Sequence, residues 1–141
     1  MLVNMSGGKK VENIINEIIE PVLLWTNSSP TSIFNPQTVN VSGDEYEAYL
    51  VEVCGDVQNS TKRYGVSLVE KSSGGQVVGS MGDYGGGTYD LTSFSNRYVT
   101  VSGNSIVFST GYNASVKPSF SVTSHARYAV PTRIWGVKFT L

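Results

Sequence analysis

The side chains able to perform catalysis are few and form no recognisable motif. His125 is the only histidine and Cys54 the only cysteine, so a triad or a thiol mechanism would rest on one residue of each type. No Gly-x-Ser-x-Gly turn surrounds a serine. We predict that His125 lies on the surface or in a turn, and that Cys54 is a small buried side chain. The sequence therefore offers no nucleophilic catalytic site.

Acidic residues supply the remaining candidate chemistry. A glycosidase needs only two carboxylates placed across a cleft, and Glu52 and Glu70 lie within otherwise apolar, strand-like runs. They are the candidate hydrolytic pair, with the alternative that each faces solvent or an edge of a sheet. Asp44, Glu45 and Glu47 lack the spacing of a calcium-binding loop. We predict no metal and no cofactor.

A glycine-rich segment, MGDYGGGTYD at 81–90, carries a candidate binding surface. It has no Gly-Lys-Ser/Thr sequence and no basic residue nearby, so it does not resemble a phosphate-binding loop. Its tyrosines and aspartates are of the types that stack on, and hydrogen-bond to, sugars or protein surfaces. The predicted surface-binding residues are Asp83, Tyr84, Tyr89 and Tyr112. The alternative is a loop whose tyrosines cover the edge of the core.

The composition predicts one all-β domain. A chain of 141 residues suits a single core, and charged residues make up only 15% of it, while Ser, Thr, Gly, Val and Tyr are frequent. Lys and Arg number 10 against 11 Asp and Glu, so no basic surface for nucleic acid is expected. The sequence contains no run of about 18 apolar residues, so no membrane span is predicted, and no secretory signal is expected.

Residues 9–20, KKVENIINEIIE, form the predicted helix, which ends before Pro21. Its apolar side chains recur at three- and four-residue spacing: Val11, Ile14, Ile15 and Ile18. A helix of about twelve residues is marginal alone in water, so it must pack on the β domain or on copies of itself. Isoleucine at both seam positions favours three or four strands in a coiled coil. We predict an attachment and oligomerisation segment over 1–21, favouring a homotrimer.

From residue 22 onward the apolar pattern has the period of β-strands, which predicts a β-sandwich domain over 22–141. Between the fourth and fifth runs, Ser and Gly at 72–75 indicate a hairpin. Eight or nine short strands predict an antiparallel β-sandwich, with a jelly-roll arrangement as one form and a barrel as the alternative. The first five predicted strands are 22–26, 37–42, 46–54, 64–71 and 76–81.

Three segments predict details of the core. In VTVSGNSIVFS, a two-residue turn at Gly103-Asn104 would make each cross-strand pair on one face apolar. The C-terminal run 129–141 is predicted as a half-buried strand whose aromatic face points inward. The connection after the first strand is predicted to fold over an open end of the sandwich, with Ile33 and Phe34 as its cover.

Two segments, LLWTNSSPTSIFNPQTVNV at 23–41 and AVPTRIWGVKFTL at 129–141, carry a resemblance. They resemble the opening and closing motifs of small β-rich virion proteins, often of tail or fibre modules, from phages and prophages of Gram-positive bacteria. Between the two motifs, the chain is similar to this group only in its strand-and-loop character. The matching residues are Trp25, Thr26, Asn27, Pro30, Thr31, Ser32, Phe34, Gln37, Thr38, Pro131, Arg133, Ile134, Trp135, Gly136 and Lys138.

The resemblance implies a virion component made in the bacterial cytoplasm. Together with the lack of a catalytic motif and the isoleucine-rich predicted helix, it predicts a non-enzymatic structural protein of the tail fibre, the baseplate, or the head fibre or decoration of the particle. Its expected partners are other virion proteins, further copies of itself and a glycan of the host surface. The alternative is a carbohydrate-binding module for host cell-wall recognition, with the tyrosines as a stacking platform. A small glycan hydrolase built on Glu52 and Glu70 is the third hypothesis.

Overall fold

The computed structural model describes residues 20–71, 74–81, 93–116 and 119–139, in which the chain forms strands and no helix. The predicted all-β class is confirmed for this part of the chain. The predicted helix lies outside the described residues except for Glu20, which is not helical. The strands are β1 (Val22–Thr26), β2 (Gln37–Asn40), β3 (Ala48–Asp56), β4 (Tyr64–Glu70), β5 (Gln76–Met81), β6 (Ser93–Ser102), β7 (Ser105–Ser115), β8 (Ser121–Ser124) and β9 (Tyr128–Val137).

The strands form two antiparallel sheets. Sheet A has the order β1-β9-β3-β4, and sheet B has the order β2-β7-β6-β5. β8 also pairs with β7: β2 runs along residues 105–108 of β7, and β8 runs along residues 112–115. Because β6 occupies the other side of β7, β2 and β8 lie end to end along the same side.

Both sheets contribute to one hydrophobic core. β3 lies between β9 and β4 in sheet A, which confirms its predicted central position. Burial of this cluster is the main stabilising contribution to the fold. Its buried members include Tyr49, Val51, Val53, Val69 and Ile134 from sheet A, and Val39, Val78, Val99, Ile106 and Phe108 from sheet B.

The turn between β6 and β7 has the predicted register. Gly103 adopts a φ of 57°, in the left-handed region that glycine tolerates without strain. Val101 is opposite Ile106, and Val99 is opposite Phe108. Turn chemistry and the apolar pattern therefore specify the same pairing.

The connection between β1 and β2 closes the core with one of its two predicted side chains. Phe34 is buried and packs edge-to-face against Phe108, with ring centroids 5.6 Å apart. Ile33 is exposed, so the prediction that both side chains cover the core is wrong. Asn27 fixes the start of the connection: its side chain accepts a hydrogen bond from the Ser29 N–H and donates one to the Pro131 carbonyl, both at 2.8 Å.

Arg97 of β6 is completely buried between the two sheets. Burial lowers the pKa of its guanidinium to about 10. All five of its N–H groups donate to backbone carbonyls, and the guanidinium carbon lies 5.4 Å from the centre of the Phe34 ring. The acceptors are the carbonyls of Phe34 (2.8 Å), Ser109 (2.6 Å), Ala126 (3.2 Å), Tyr128 (2.8 Å) and Ala129 (3.1 Å).

Two sequence predictions about the sheets are wrong. β4 and β5 do not form a hairpin ladder, because β4 belongs to sheet A and β5 to sheet B. The chain crosses between the sheets there, and Gly65 and Gly79 allow a close backbone approach. In β9 the aromatic face points outward: Ile134 is fully buried in the core, whereas Trp135 is only partly buried on the opposite face. A Cβ added to Gly136 would lie 2.5 Å from the Tyr46 ring, so this glycine leaves room for a ring that packs against the core.

Candidate functional site

The outward face of sheet B presents aromatic side chains on adjacent strands. On β6, alternation turns Phe94, Asn96 and Tyr98 outward while Arg97 and Val99 point to the core. An irregularity in the pairing of β6 with β7 follows Arg97. There the side-chain hydroxyl of one β7 residue accepts a hydrogen bond from the Tyr98 N–H at 3.1 Å. The alternation within β6 therefore does not by itself predict which residues of β7 face outward.

Beyond this irregularity, β7 brings Tyr112 onto the same face. Tyr112 is directly opposite Asn96 of β6, and Phe94 follows in the adjacent cross-strand row, opposite Met81 of β5. Phe94 and Tyr112 are each 37% exposed, and Tyr98 is 49% exposed. Aromatic rings beside an amide can stack on an apolar surface while the amide forms hydrogen bonds to hydroxyl groups. We call Phe94, Asn96, Tyr98 and Tyr112 the sheet B platform.

Of the four predicted surface-binding residues, the described part of the chain contains only Tyr112. Asp83, Tyr84 and Tyr89 lie outside the described residues. The segment that carries them joins β5 to β6, next to the pair formed by Met81 and Phe94. The prediction missed Phe94, Asn96 and Tyr98, although their i, i+2, i+4 spacing was visible in FSNRY. The adjacent arginine obscured the signal, because its side chain is the one that points inward.

The candidate hydrolytic carboxylates do not converge. Glu52 accepts hydrogen bonds from Thr132 (2.6 Å) and Arg133 (3.0 and 3.2 Å). Burial raises its pKa, but these hydrogen bonds and the Arg133 charge outweigh burial and lower it, so Glu52 is poorly suited to be a general acid. Glu52 is opposite Val66, and Glu70 lies four residues further along β4, roughly 13 Å away at strand spacing. That separation exceeds the roughly 5–9.5 Å between the carboxylates of glycosidases.

His125 and Cys54 occupy structural positions. His125 is exposed in the turn before β9, where its Nδ1 accepts a hydrogen bond from the Arg127 N–H at 3.1 Å. This is the turn position that the sequence predicted. Cys54 is buried, also as predicted, and burial raises the pKa of its thiol. A buried thiol with a raised pKa is a weak nucleophile.

A polar cleft of about 220 Å³ opens between residues of both sheets. Arg127 borders it, with its guanidinium 3.5 Å from the Asp56 carboxylate. The same guanidinium donates hydrogen bonds to Gln58 and to the Tyr128 hydroxyl, each at 2.8 Å. These groups pair with one another, while the Arg127 Nε is buried without a hydrogen-bond partner among the described residues, so the cleft holds a structural hydrogen-bond network with one unsatisfied donor.

The described residues contain no group of three or more His, Cys, Asp and Glu side chains that could hold a metal ion. Among the same residues, no helix is long and apolar enough to cross a membrane. The predicted oligomerisation side chains all lie outside the described residues: Val11, Ile14, Ile15 and Ile18.

No protein-family model, curated protein or solved structure matches this chain. Function must therefore be argued from the two sheet faces and from the resemblance of the two terminal motifs.

Proposed function

We propose that this chain is a non-enzymatic structural protein of a bacteriophage particle, in the tail fibre, the baseplate or the head fibre. The observation that carries the proposal is that the two motifs of the resemblance are adjacent in the fold. Trp25 is opposite Ile134, and Thr26 is opposite Arg133, in the pairing of β1 with β9. The Asn27 N–H donates to the Thr132 carbonyl at 2.8 Å, which extends this contact.

This adjacency supports treating the resemblance as one structural unit, since residues more than 100 positions apart form a single paired element. In the proposal, the domain is a β-sandwich of jelly-roll type that other virion proteins hold in place. The sequence prediction that segment 1–21 attaches the domain as a homotrimeric helical stem is a separate hypothesis. Light scattering tests this hypothesis, which predicts a trimer for the full chain and a monomer for a chain starting at Pro21.

The experiment that tests the proposal is detection of the chain in purified phage particles. Particles are banded on a density gradient and analysed by mass spectrometry, and a tagged chain is located by electron microscopy. We expect the protein at a fixed copy number per particle and the tag at one site on the tail or head. A chain found only in the infected-cell lysate, at phage-free density, would contradict the proposal.

The second candidate function is recognition of a host cell-wall glycan through the sheet B platform. Tyr112 and Phe94 offer exposed rings in adjacent rows, and Asn96, two residues from Phe94 on β6 and opposite Tyr112, is a hydrogen-bonding group beside them. Exposed rings offer apolar faces for the C–H side of a sugar, and the amide offers polar groups for its hydroxyls, which supports this proposal. This function is compatible with a virion location.

Binding of purified host cell-wall polysaccharide tests the second function. We expect Tyr112→Ala and Phe94→Ala each to weaken binding about tenfold, the loss that corresponds to 1.4 kcal/mol at one stacking contact. Phe139→Ala is the matched control, because Phe139 is 56% exposed and follows β9 of sheet A. Equal binding by all three variants and the unmodified chain would exclude the platform as the binding surface.

A further inference from the structure

The outward face of sheet A carries an apolar row that crosses all four strands. Leu23 of β1 is opposite Trp135 of β9, Trp135 is opposite Leu50 of β3, and Leu50 is opposite Leu68 of β4. Leu23 and Leu68 are about half exposed, and Val66 beside them is 56% exposed. A continuous apolar row on an outer sheet face is unusual in a protein domain unless something covers it.

A groove of about 370 Å³ lies on this face. Its walls are Leu50, Val66 and Trp135, together with Glu20 and Pro21. Leu50 and Val66 belong to β3 and β4, whereas Pro21 immediately precedes β1 at the opposite edge of the sheet. The chain that leads into β1 therefore already lies against the outward face, and it does not leave from the sheet edge toward solvent.

We propose that residues 9–19 cover this face of their own domain, with the apolar side chains of Val11, Ile14, Ile15 and Ile18 packed on the row from Leu23 to Leu68. The dimensions agree. Four strands about 4.8 Å apart span roughly 14 Å, and eleven helical residues at 1.5 Å each span roughly 16 Å. The segment enters at the groove wall formed by Glu20 and Pro21. Its polar residues then face solvent, as an amphipathic surface helix requires.

This covering competes with the trimeric stem, because one apolar stripe can be buried only once. The position of Glu20 and Pro21 favours the domain's own sheet, since a stem would carry the preceding residues away from the groove. The inference is independent of the virion role, because a virion protein could have either arrangement of residues 9–19. The two arrangements differ in what protects Leu68 from solvent, and this difference can be measured.

The test places a reporter thiol on each sheet of the full chain. Leu68→Cys lies on the proposed covered row, and Val107→Cys is the matched control on the outward face of sheet B, where Val107 is 43% exposed. Cys54 is 2% exposed and remains unreactive in the folded protein. We expect a maleimide to label Leu68→Cys about tenfold more slowly than Val107→Cys.

Charge substitutions in the segment identify what protects the thiol. Ile14→Glu with Ile18→Glu is expected to raise the Leu68→Cys labelling rate about tenfold. Asn13→Glu with Asn16→Glu adds the same charge to the polar side and is expected to leave the rate unchanged. Circular dichroism checks that every variant is folded, and light scattering gives its mass.

Two results would overturn the inference. One is an unchanged Leu68→Cys rate when the isoleucines are charged, including the case in which the same substitutions convert a trimer into a monomer. The other is protection of Leu68→Cys that disappears on dilution, which would assign the face to a second copy of the chain. Neither result bears on whether the protein is found in phage particles, so the virion proposal stands or falls separately.

Discussion

At the scale of single residues, Arg97 connects three parts of the chain that are distant in sequence. Its guanidinium joins β6 to the connection before β2 through Phe34, to β7 through Ser109, and to residues 126–129, where a turn leads into β9. Ala129, the second residue of β9, is the one described non-glycine residue with a positive φ, 46°. A strained conformation of this kind persists only where its surroundings hold it.

Replacing Arg97 with methionine is expected to destabilise the protein by about 4 kcal/mol or more. Methionine fills much of the volume, but it leaves five backbone carbonyls without their buried donors, at roughly 1–3 kcal/mol for each that water cannot reach. Urea unfolding followed by fluorescence measures the change. Arg133→Met is the control, because Arg133 is half exposed and its removal is expected to cost about 1 kcal/mol or less. Similar losses for both variants would contradict the assigned role.

Glu52 is expected to make stability depend on pH in the acid range. Its pKa is lower in the folded protein than in the unfolded chain, so the unfolded chain binds the proton more readily. The stabilisation is therefore complete above the unfolded value of about 4.5 and is lost as the pH falls through the folded value. Glu52→Gln is expected to be less stable than the unmodified chain at pH 7, and this difference is expected to be smaller at pH 3 than at pH 7. A difference of the same size at both pH values would contradict this account.

At the scale of elements, β4 and β5, between which the chain crosses from sheet A to sheet B, approach each other closely because each has a glycine at the contact. A Cβ added to Gly65 would lie 2.1 Å from the Gly79 carbonyl oxygen, so the two backbones would have to separate. Gly65→Ala is expected to cost about 3 kcal/mol, as overpacking of a core does. Gly74→Ala is the matched control, since a Cβ there meets nothing within 4 Å, and it is expected to be neutral or slightly stabilising. Thermal unfolding of both variants measures the contrast.

The same crossing shows which parts of the fold could be predicted from the sequence. Strand positions and the Gly103 turn follow from local rules, because alternation and turn chemistry act over a few residues. The partner of β4 does not, because SSGG is equally suited to a hairpin and to a passage between sheets. The outward position of Trp135 was missed for a related reason: both faces of β9 are apolar, and only the packed sheet decides which is the core side.

In the candidate site, too, some features follow from the local sequence and others only from the packed fold. Tyr112 was predicted from its residue type, whereas its neighbours on the platform depend on the irregular pairing of β6 with β7, which has no signature in the sequence. Glu52 stood out as an acidic residue in an apolar strand. Its partners, Thr132 and Arg133, are 80 and 81 positions away, so only the fold identifies it as a paired carboxylate.

At the scale of the whole molecule, the two sheets have different outward surfaces and different proposed roles. Sheet A has an apolar row on its outward face, with a groove beside Glu20 and Pro21, where the chain leads into β1. Sheet B exposes aromatic rings beside an amide, next to the connection that carries the predicted glycine-rich binding segment. If residues 9–19 cover the row on sheet A, as proposed, the sheet B platform stays exposed, so the covering and the proposed glycan recognition use different residues.

The position of the last strand, β9, in the middle of sheet A leads to a final prediction. β9 lies between β1 and β3, and it contributes Val130 and Ile134 to the core, so sheet A cannot assemble until the last strand is present. A chain ending at Ser124 is expected to show no cooperative thermal transition by circular dichroism. A chain starting at Pro21 retains all nine described strands and is expected to melt cooperatively. Cooperative melting of the chain that ends at Ser124 would mean that sheet B folds alone, and pairing of the two terminal motifs would then not be required for folding.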